Sequence, residues 1–327
     1  MRVPRWVAGL RRGWQIAPMD REDLTFTSGD DEVAAWLYRP APADGPVPCV
    51  VMAHGFSLTR HDGLARYAES FAEAGAAALV MDFRHLGDSG GTPRGRFRIG
   101  EQRDDLTAAM RFARSLPGVD PDRIVLWGFS FAGGTAVTVA ARDAHVAGLI
   151  LVAPFLDGLA RVIGTVRRSP LVAVRVLARA VLDLAGRHRT IPVTGRPGDL
   201  AAMTFEGEAE GFAAATGDGS PWRNEISPGV FAVVALHRPV RLAARLRCPV
   251  WVARGKRDVT VSARAIERLA DRAPGAELHV HDVDHFEPFH TPAGDVLAGE
   301  QVDWLRRHGL VGPAPWRKPS VGGRRQP

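Results

Sequence analysis

The 327-residue sequence is poor in cysteine and lacks long apolar runs. Its two cysteines, Cys49 and Cys248, each stand just before a run of apolar β-formers. We therefore expect them to pack as small buried side chains rather than to form a disulfide or bind metal. No stretch approaches the roughly 18 uncharged apolar residues of a membrane helix, and the basic N-terminal residues lack the apolar core of a secretory signal. These absences lead us to expect a cytoplasmic protein without an integral membrane segment.

The net positive charge of the chain comes from its two ends. Residues 1–21 carry +4 and residues 305–327 carry +6, which leaves −4 of the total of +6 for the residues between them. A basic protein is a candidate for nucleic-acid binding, but here the central part is mildly acidic, so we expect no nucleic-acid partner. We interpret residues 1–21 as a basic N-terminal extension and residues 309–327 as a basic C-terminal tail.

Short apolar runs alternate with amphipathic helical patterns along most of the chain. Buried strands are predicted at 47–53, 76–82, 124–127, 146–154, 249–253 and 278–283. Helices are predicted near 64–71, 106–113, 131–142, 261–272 and 294–307, and a leading hairpin spans 24–38. Strands that alternate with helices indicate βαβ units. We therefore predict an α/β fold with a mostly parallel central sheet and helices on both faces.

The alternation is interrupted between residues 155 and 247. Within this insertion, residues 171–185 read as a helix whose only charges, Arg175, Arg179 and Asp183, lie on one stripe. We interpret the insertion as a helical cap over the carboxyl edge of a core formed by residues 22–154 and 248–308. A homodimer interface or an inert decoration are the alternatives.

The strongest motif is Gly128-Phe129-Ser130-Phe131-Ala132-Gly133, which follows a buried strand directly and opens a helix. This context is typical of a nucleophile elbow, in which a serine sits on a tight turn flanked by very small residues. We predict Ser130 as the nucleophile. The alternative is an ordinary Gly-rich turn between a strand and a helix.

A serine hydroxyl needs a base that is itself oriented by an acid. Asp258 follows the strand at 249–253, and His285 follows the strand at 278–283. Each therefore lies at the carboxyl end of a strand, and the order serine, aspartate, histidine fits the same architecture. We predict Asp258 as the acid and His285 as the base.

Two alternatives involve other residues near His285. Asp282 or Asp284 could orient the histidine instead of Asp258. A metal site could also be built from His279, His281, His285, Glu287 and His290. None of these residues lies on a predicted helix, as the histidines of a helical zinc motif would, so we predict neither a metal nor a cofactor.

An oxyanion hole needs two backbone N–H donors. We expect them from Phe131, directly after the predicted nucleophile, and from Phe56, which ends the loop segment His54-Gly55-Phe56. Trp222 and Arg60 are candidate substrate contacts, although Trp222 could instead belong to a turn that ties the insertion to the core. Apolar lining of an acyl pocket is expected from the aromatic residues Phe205, Phe212, Trp222 and Phe231.

These motifs, together with the segment from Asp82 to Gly91, resemble those of the α/β-hydrolase superfamily over about residues 22–308. Within it the chain is similar to serine esterases and peptidases of the Xaa-Pro dipeptidyl-peptidase-like and dienelactone-hydrolase-like groups. It is also similar to polyketide-pathway enzymes that transfer acyl groups or cleave thioesters. The resemblance implies a nucleophilic Ser130, an acidic Asp258 and a basic His285. The resemblance also disfavours some groups of the superfamily, because this chain has Ser130 at the nucleophile position. Haloalkane dehalogenases and epoxide hydrolases have an aspartate there, and dienelactone hydrolases proper have a cysteine.

We therefore expect a serine hydrolase of the carboxylic-ester type that cleaves an ester or thioester of a small to medium acyl substrate. An acyltransferase, a thioesterase or a peptidase would use the same three residues. A binding protein on a hydrolase scaffold would lack one of them. A role at a membrane surface for the basic N-terminal residues and the helix at 171–185 is a further alternative.

Overall fold

The computed structural model describes residues 21–187, 189–217 and 219–312. Most of the two basic end segments therefore lies outside the described residues. The described chain forms one eight-stranded sheet in the order β1-β2-β4-β3-β5-β6-β7-β8. The strands are β1 Arg21–Ser28, β2 Asp31–Tyr38, β3 Val47–Ala53, β4 Ala77–Met81, β5 Val119–Phe129, β6 Val146–Val152, β7 Val250–Gly255 and β8 Ala276–His281.

Eight α-helices accompany the sheet in the described ranges. They are α1 Ala65–Glu73, α2 Ile99–Ser115, α3 Ser130–Ala140, α4 Gly158–Arg168, α5 Pro170–Leu184, α6 Glu208–Ala215, α7 Ala263–Arg272 and α8 Ala293–Arg307. α1 packs against α8, while α2 packs against α3. None of the helices in this part of the chain combines the length and the apolar character that a membrane crossing needs.

The sheet is mostly parallel, as the alternation of strands and helices predicts. β1 and β2 form an antiparallel hairpin, and β2 pairs antiparallel with β4. All other neighbouring strands run parallel. β3, β4 and β6 are almost completely buried, which explains their near-continuous apolar sequences. Cys49 and Cys248 are buried free thiols, and burial raises the pKa of Cys49 to about 12.

The strand register brings four loops to one edge of the sheet. Ala53 of β3 pairs with Gly128 of β5, and Gly255 of β7 pairs with His281 of β8. β5 and β7 both flank β6. Because these strands are parallel, the loops that follow β3, β5, β7 and β8 all leave the sheet at its carboxyl edge, where ligands of open α/β sheets bind.

The insertion between β6 and β7 is helical, and it contains more helix than the sequence patterns predict. α5 matches the predicted helix, whereas α4 and α6 were not predicted. Short 3-10 helices complete the insertion at Pro228–Ala232, Val234–Leu236 and Pro239–Arg245. α5 packs against α4 and the first of these 3-10 helices. The charged stripe on α5 is split, because Arg175 is exposed while Asp183 is buried and accepts hydrogen bonds from Ser227 and Gly229.

Candidate functional site

The turn between β5 and α3 holds Ser130 in a strained conformation. Its φ is +50°, in the left-handed region that residues with a side chain rarely adopt. The turn is tight enough that a Cβ atom on Gly128 would lie 2.7 Å from the carbonyl group of Ala132. Only glycine fits at position 128, and this explains the motif that marks the turn in the sequence.

Ser130, His285 and Asp258 form a continuous chain of hydrogen bonds. The distance from His285 Nε2 to Ser130 Oγ is 3.0 Å, and that from His285 Nδ1 to Asp258 Oδ2 is 2.7 Å. The other carboxylate oxygen, Asp258 Oδ1, accepts hydrogen bonds from the amides of Thr260 and Val261 at 2.8 and 3.1 Å. Since Asp258 can only accept, Nδ1 of His285 carries the proton and Nε2 is free to accept the serine proton.

The other two aspartates near His285 have different partners. Asp282 pairs with Arg257 at 3.1 Å. Asp284 accepts hydrogen bonds from the amides of Phe286 and Glu287, both at 2.8 Å, and so shapes the turn that carries His285. Neither contacts the imidazole, so Asp258 is its acidic partner in this structure.

The neighbouring histidines form a separate group. His279 and His281 alternate on β8 and face the same carboxylate, with Glu300 Oε2 at 3.4 and 3.3 Å. Within the described part of the chain, His279, His281 and Glu300 form the group of side chains that could hold a metal ion, because their potential ligand atoms all lie within 4.8 Å of one another. His285 is not part of the group, since its ring nitrogens contact Asp258 and Ser130.

The loop after β3 passes directly over the serine. A Cβ atom on Gly55 would lie 2.9 Å from Ser130 Cβ and equally close to the ring of Phe129. The buried imidazole of His54 holds the loop, because its Nδ1 accepts from the amide of Gly55 at 2.8 Å and its Nε2 donates to the carbonyl of Asp62 at 2.7 Å. Burial lowers the pKa of His54 to about 4, so the ring is neutral at neutral pH.

The two residues predicted as amide donors line the same cavity as Ser130. Phe131 is the second residue of α3, and the first amides of a helix have no partner within the helix. Phe56 follows Gly55 in the loop, and its ring centroid is 6.2 Å from that of Phe131.

This cavity has a volume of about 300 Å³ and lies between the sheet edge and the insertion. All but four of its lining residues are apolar. Phe56 and Phe131 contribute from the edge of the sheet, and the apolar residues from the insertion include Phe155, Val162, Val166, Val174, Leu177, Met203, Val230 and Phe231. A concave, apolar site with a few polar groups is the usual form of a small-molecule site.

The polar lining residues are Ser130, Arg161, Thr165 and Thr260. Arg161 makes a two-pronged ion pair with the buried carboxylate of Glu208 at 2.7 and 3.0 Å, and it also donates to the carbonyl of Thr260 at 3.3 Å. The ion pair thereby connects α4 and α6 to the loop that carries Asp258. The hydroxyl of Thr260 is buried and has no hydrogen-bond partner among the described residues.

Comparison with known proteins identifies the family. Residues 44–292 match the model of the family described as serine aminopeptidase, S33. This chain belongs to that family. As a member of the serine aminopeptidase S33 family it is a serine hydrolase of the α/β-hydrolase superfamily, and the superfamily resemblance predicted from the motifs is confirmed.

The known proteins to which this chain is similar have names that denote several different activities. The chain is 32% identical to the quorum-quenching protein AidA of Acinetobacter baumannii over 290 residues, which are 87% of this chain and 94% of that protein. It is 34% identical to a thiohydrolase of Eupenicillium brefeldianum over 197 residues, or 60% of this chain and 58% of the thiohydrolase. Among solved structures, the α/β hydrolase GrgF of a Penicillium species matches with a TM-score of 0.74 at 25% identity and covers 88% of this chain and 99% of GrgF.

Trp222 lies at the junction between the insertion and the loop after β3. Its indole Nε1 donates to Ser57 Oγ at 3.0 Å, and its ring packs on Phe212 at 5.0 Å. It is absent from the cavity lining, as are Phe205 and Phe212, whereas Phe231 lines the cavity. The alternative interpretation of Trp222, as a tie between the insertion and the core, fits this geometry better than a substrate contact.

Arg60 does not line the cavity either. Its buried guanidinium pairs with Asp82 at 2.6 Å and with Asp88 at 2.9 Å, and it lies over the ring of Trp36. With its charge balanced in this way, Arg60 holds the loops after β3 and β4 together. This geometry does not favour the predicted role of Arg60 as a substrate contact.

Sequence patterns gave no indication of Arg161, Glu208 and Thr260. Arg161 and Glu208 are 47 residues apart, and no local motif relates them. His54 is different, because its place directly after β3 was visible in the sequence although its role in holding the loop was not.

Proposed function

We propose that this protein cleaves a carboxylic ester or thioester of a small to medium acyl substrate, with Ser130 as nucleophile, His285 as base and Asp258 as acid. The single observation that carries the proposal is the hydrogen-bonded chain of these three residues opening into an apolar cavity. Nucleophile, base and orienting acid within hydrogen-bond distance are the geometric signature of acyl transfer through a serine.

In the proposed first half-reaction, Ser130 Oγ attacks the substrate carbonyl while Nε2 of His285 takes its proton. The carbonyl electron pair moves to the oxygen, and the amides of Phe56 and Phe131 stabilise this negative charge, each donor contributing about 3 kcal/mol. Asp258 keeps the imidazole in the required tautomer and stabilises its positive charge. The bond to the leaving oxygen or sulfur then breaks, and His285 returns the proton to the leaving group.

In the second half-reaction, water attacks the acyl-enzyme with His285 again as base. The acyl bond to Ser130 Oγ breaks, the serine recovers its proton, and the carboxylic acid leaves. We propose that residues 155–247 serve as a cap on a core formed by residues 22–154 and 248–308, since the insertion provides most of the acyl-binding surface of the cavity.

Turnover of a series of p-nitrophenyl esters from acetyl to decanoyl tests the proposal. We expect the wild type to prefer one range of chain lengths and Ser130→Ala to lose turnover while keeping the thermal stability of a folded protein. Asp282→Asn, which alters an exposed carboxylate outside the triad, serves as the control and should retain activity. Turnover that survives in a folded Ser130→Ala variant would contradict the proposal.

An acyltransferase is the second candidate. A polyketide transferase of Stachybotrys chlorohalonatus is 33% identical over 183 residues, 56% of each chain. The triad is the same in both reactions, and only the acceptor differs, because an alcohol or amine replaces water in the transferase. Product analysis with and without candidate acceptors separates the two. Peptide substrates belong in the same assay, since the family is described as an aminopeptidase family.

A further inference from the structure

Exposed large apolar side chains are concentrated on α4 and α5. Of the fifteen described in the chain, nine lie on these two consecutive helices: Leu159, Ile163, Val166, Leu171, Val174, Leu177, Val181, Leu182 and Leu184. Single exposed apolar residues are ordinary on a protein surface, but a contiguous group of this size marks an interaction site. These nine residues are called the α4–α5 face below.

The exposed charges on the segment that carries the α4–α5 face, residues 158–190, are all positive. Asp183 is the only acidic residue between positions 158 and 190, and it is buried in the insertion. The exposed charged residues of the same segment are Arg167, Arg168, Arg175, Arg187 and Arg189. An apolar face bordered by arginines is typical of helices that lie in the interface of an anionic membrane.

The α4–α5 face also borders the cavity that contains Ser130. Val166, Val174 and Leu177 line the cavity and are 46%, 65% and 50% exposed. They therefore belong both to the outer face and to the wall of the candidate active site. An acyl chain that leaves an apolar phase at this face can reach the serine along apolar side chains.

We propose that the α4–α5 face binds an anionic lipid surface and that the cavity receives its acyl substrate from that surface. The second part rests on the proposed function, whereas the first does not. A second copy of the chain is a poorer occupant, because a two-fold contact through this face would place its arginines opposite those of the partner copy. The face offers no exposed carboxylate in the described segment 158–190 to balance them.

Co-sedimentation with vesicles tests the binding. The probes are phosphatidylcholine vesicles and phosphatidylcholine vesicles with about one third phosphatidylglycerol, each at low and high ionic strength. We expect the wild type to bind the anionic vesicles at low ionic strength, to bind less at high ionic strength, and to bind the neutral vesicles weakly. Absence of binding to the anionic vesicles at low ionic strength would overturn the proposal.

Two double variants locate the surface. Arg167→Glu with Arg175→Glu should lose at least about 25-fold in affinity for anionic vesicles, about fivefold for each arginine removed. Arg111→Glu with Arg272→Glu makes the same change of charge on α2 and α7, where both arginines are exposed, and should bind nearly as the wild type does. Equal losses in the two variants would show that overall charge, not the α4–α5 face, controls binding and would overturn the proposal.

A third variant tests the apolar part of the face. Leu171→Ser with Val181→Ser alters exposed residues that do not line the cavity. We expect weaker vesicle binding but unchanged turnover of a water-soluble p-nitrophenyl ester, and slower turnover of a long-chain ester held in anionic vesicles. A wild-type dimer in solution that this variant dissociates would assign the face to a second copy and overturn the proposal.

Failure of this proposal is distinguishable from failure of the proposed function. If the soluble ester is turned over in a way that depends on Ser130 but the protein does not bind vesicles, the hydrolase function is supported and the lipid-binding face is contradicted. Vesicle binding without turnover of any ester would support the lipid-binding face and contradict the proposed hydrolase function. It would also contradict the delivery of an acyl substrate from the lipid surface to the cavity.

Discussion

At the residue scale, the site depends on close approach of backbone around Ser130. The serine has a positive φ, and the two glycines next to it in space, Gly55 and Gly128, have no room for a Cβ atom. Such strain persists only where surrounding packing fixes it. In this arrangement Ser130, Phe56 and Phe131 line one cavity, and the imidazole of His285 contacts the serine hydroxyl.

Asp258→Asn tests the role that we propose for the acid. The amide keeps the shape of the carboxylate but can donate to Nδ1 of His285, which leaves the imidazole in the wrong tautomer. We expect kcat for the preferred p-nitrophenyl ester to fall by up to about ten-thousandfold with little change in KM. Asp282→Asn, which alters an exposed carboxylate in the loop after β8, is the control, and a comparable loss of kcat there would contradict the assignment of Asp258.

The residues of the candidate triad could be predicted because each is marked by a pattern in its own segment of the sequence. Ser130 lies in a motif of small residues, and Asp258 and His285 each follow a predicted strand. Arg161 and Thr260 carry no such signal, since their relation to the cavity arises only when α4 packs over the loop after β7. A sequence pattern reports the periodicity of one segment, not the contact between two segments.

At the element scale, the insertion and the loop after β3 form one unit. Trp222 of the insertion donates to Ser57, which follows Phe56 directly and has a φ of +61°. The loop that we expect to provide an oxyanion donor is thus held from inside by His54 and from outside by Trp222. Movement of the insertion would therefore shift the backbone amide of Phe56.

Trp222→Phe tests this connection. The phenyl ring preserves most of the packing on Phe212 but removes the hydrogen bond to Ser57, so the loop after β3 is less firmly held. We expect kcat to fall about fivefold with KM nearly unchanged, the effect of one neutral hydrogen bond. Ser57→Ala should cause a similar loss, and the double variant should lose no more than either single one. Losses that multiply in the double variant would contradict the coupling.

Element prediction succeeded where burial imposes a pattern and failed elsewhere. The strands of the sheet were found because they are short apolar runs bounded by turns. α6 was missed because it has only eight residues and includes Gly211. α4 was missed although it carries a signal, since Asp157 caps its first turn by accepting from the amide of Ala160 at 3.3 Å. The 3-10 helices depend on contacts such as that of Asp183 with Gly229 and have no local signature.

At the scale of the whole molecule, two buried histidines link stability to pH. Burial lowers the pKa values of His54 and His237 to about 4, well below the ordinary value of 6.5. The ring of His237 is stacked against the rings of Phe131 and Phe155. Below pH 6.5 the unfolded chain binds a proton at each of these positions and the folded chain does not. The free energy of unfolding therefore decreases as the pH falls from about 6.5 to about 4.

His237→Phe should remove one part of this dependence. A phenyl ring can occupy the stacked position, and it does not titrate. We expect the wild type to lose about 3 kcal/mol more stability than the variant between pH 7 and pH 4, as measured by urea denaturation. His145→Phe, at an exposed position, should behave like the wild type. Parallel pH profiles for the wild type and His237→Phe would contradict the pKa assignment.

The central claim is that Ser130 is the nucleophile of an acyl-transfer site, and a fluorophosphonate probe tests it most directly. The measurement is the intact mass of the protein after incubation with the probe, followed by mapping of the labelled peptide. We predict one phosphonyl group per chain, attached to Ser130, with no label on Ser130→Ala and much slower labelling of His285→Ala. A label on another residue, or equal labelling of Ser130→Ala, would contradict the account.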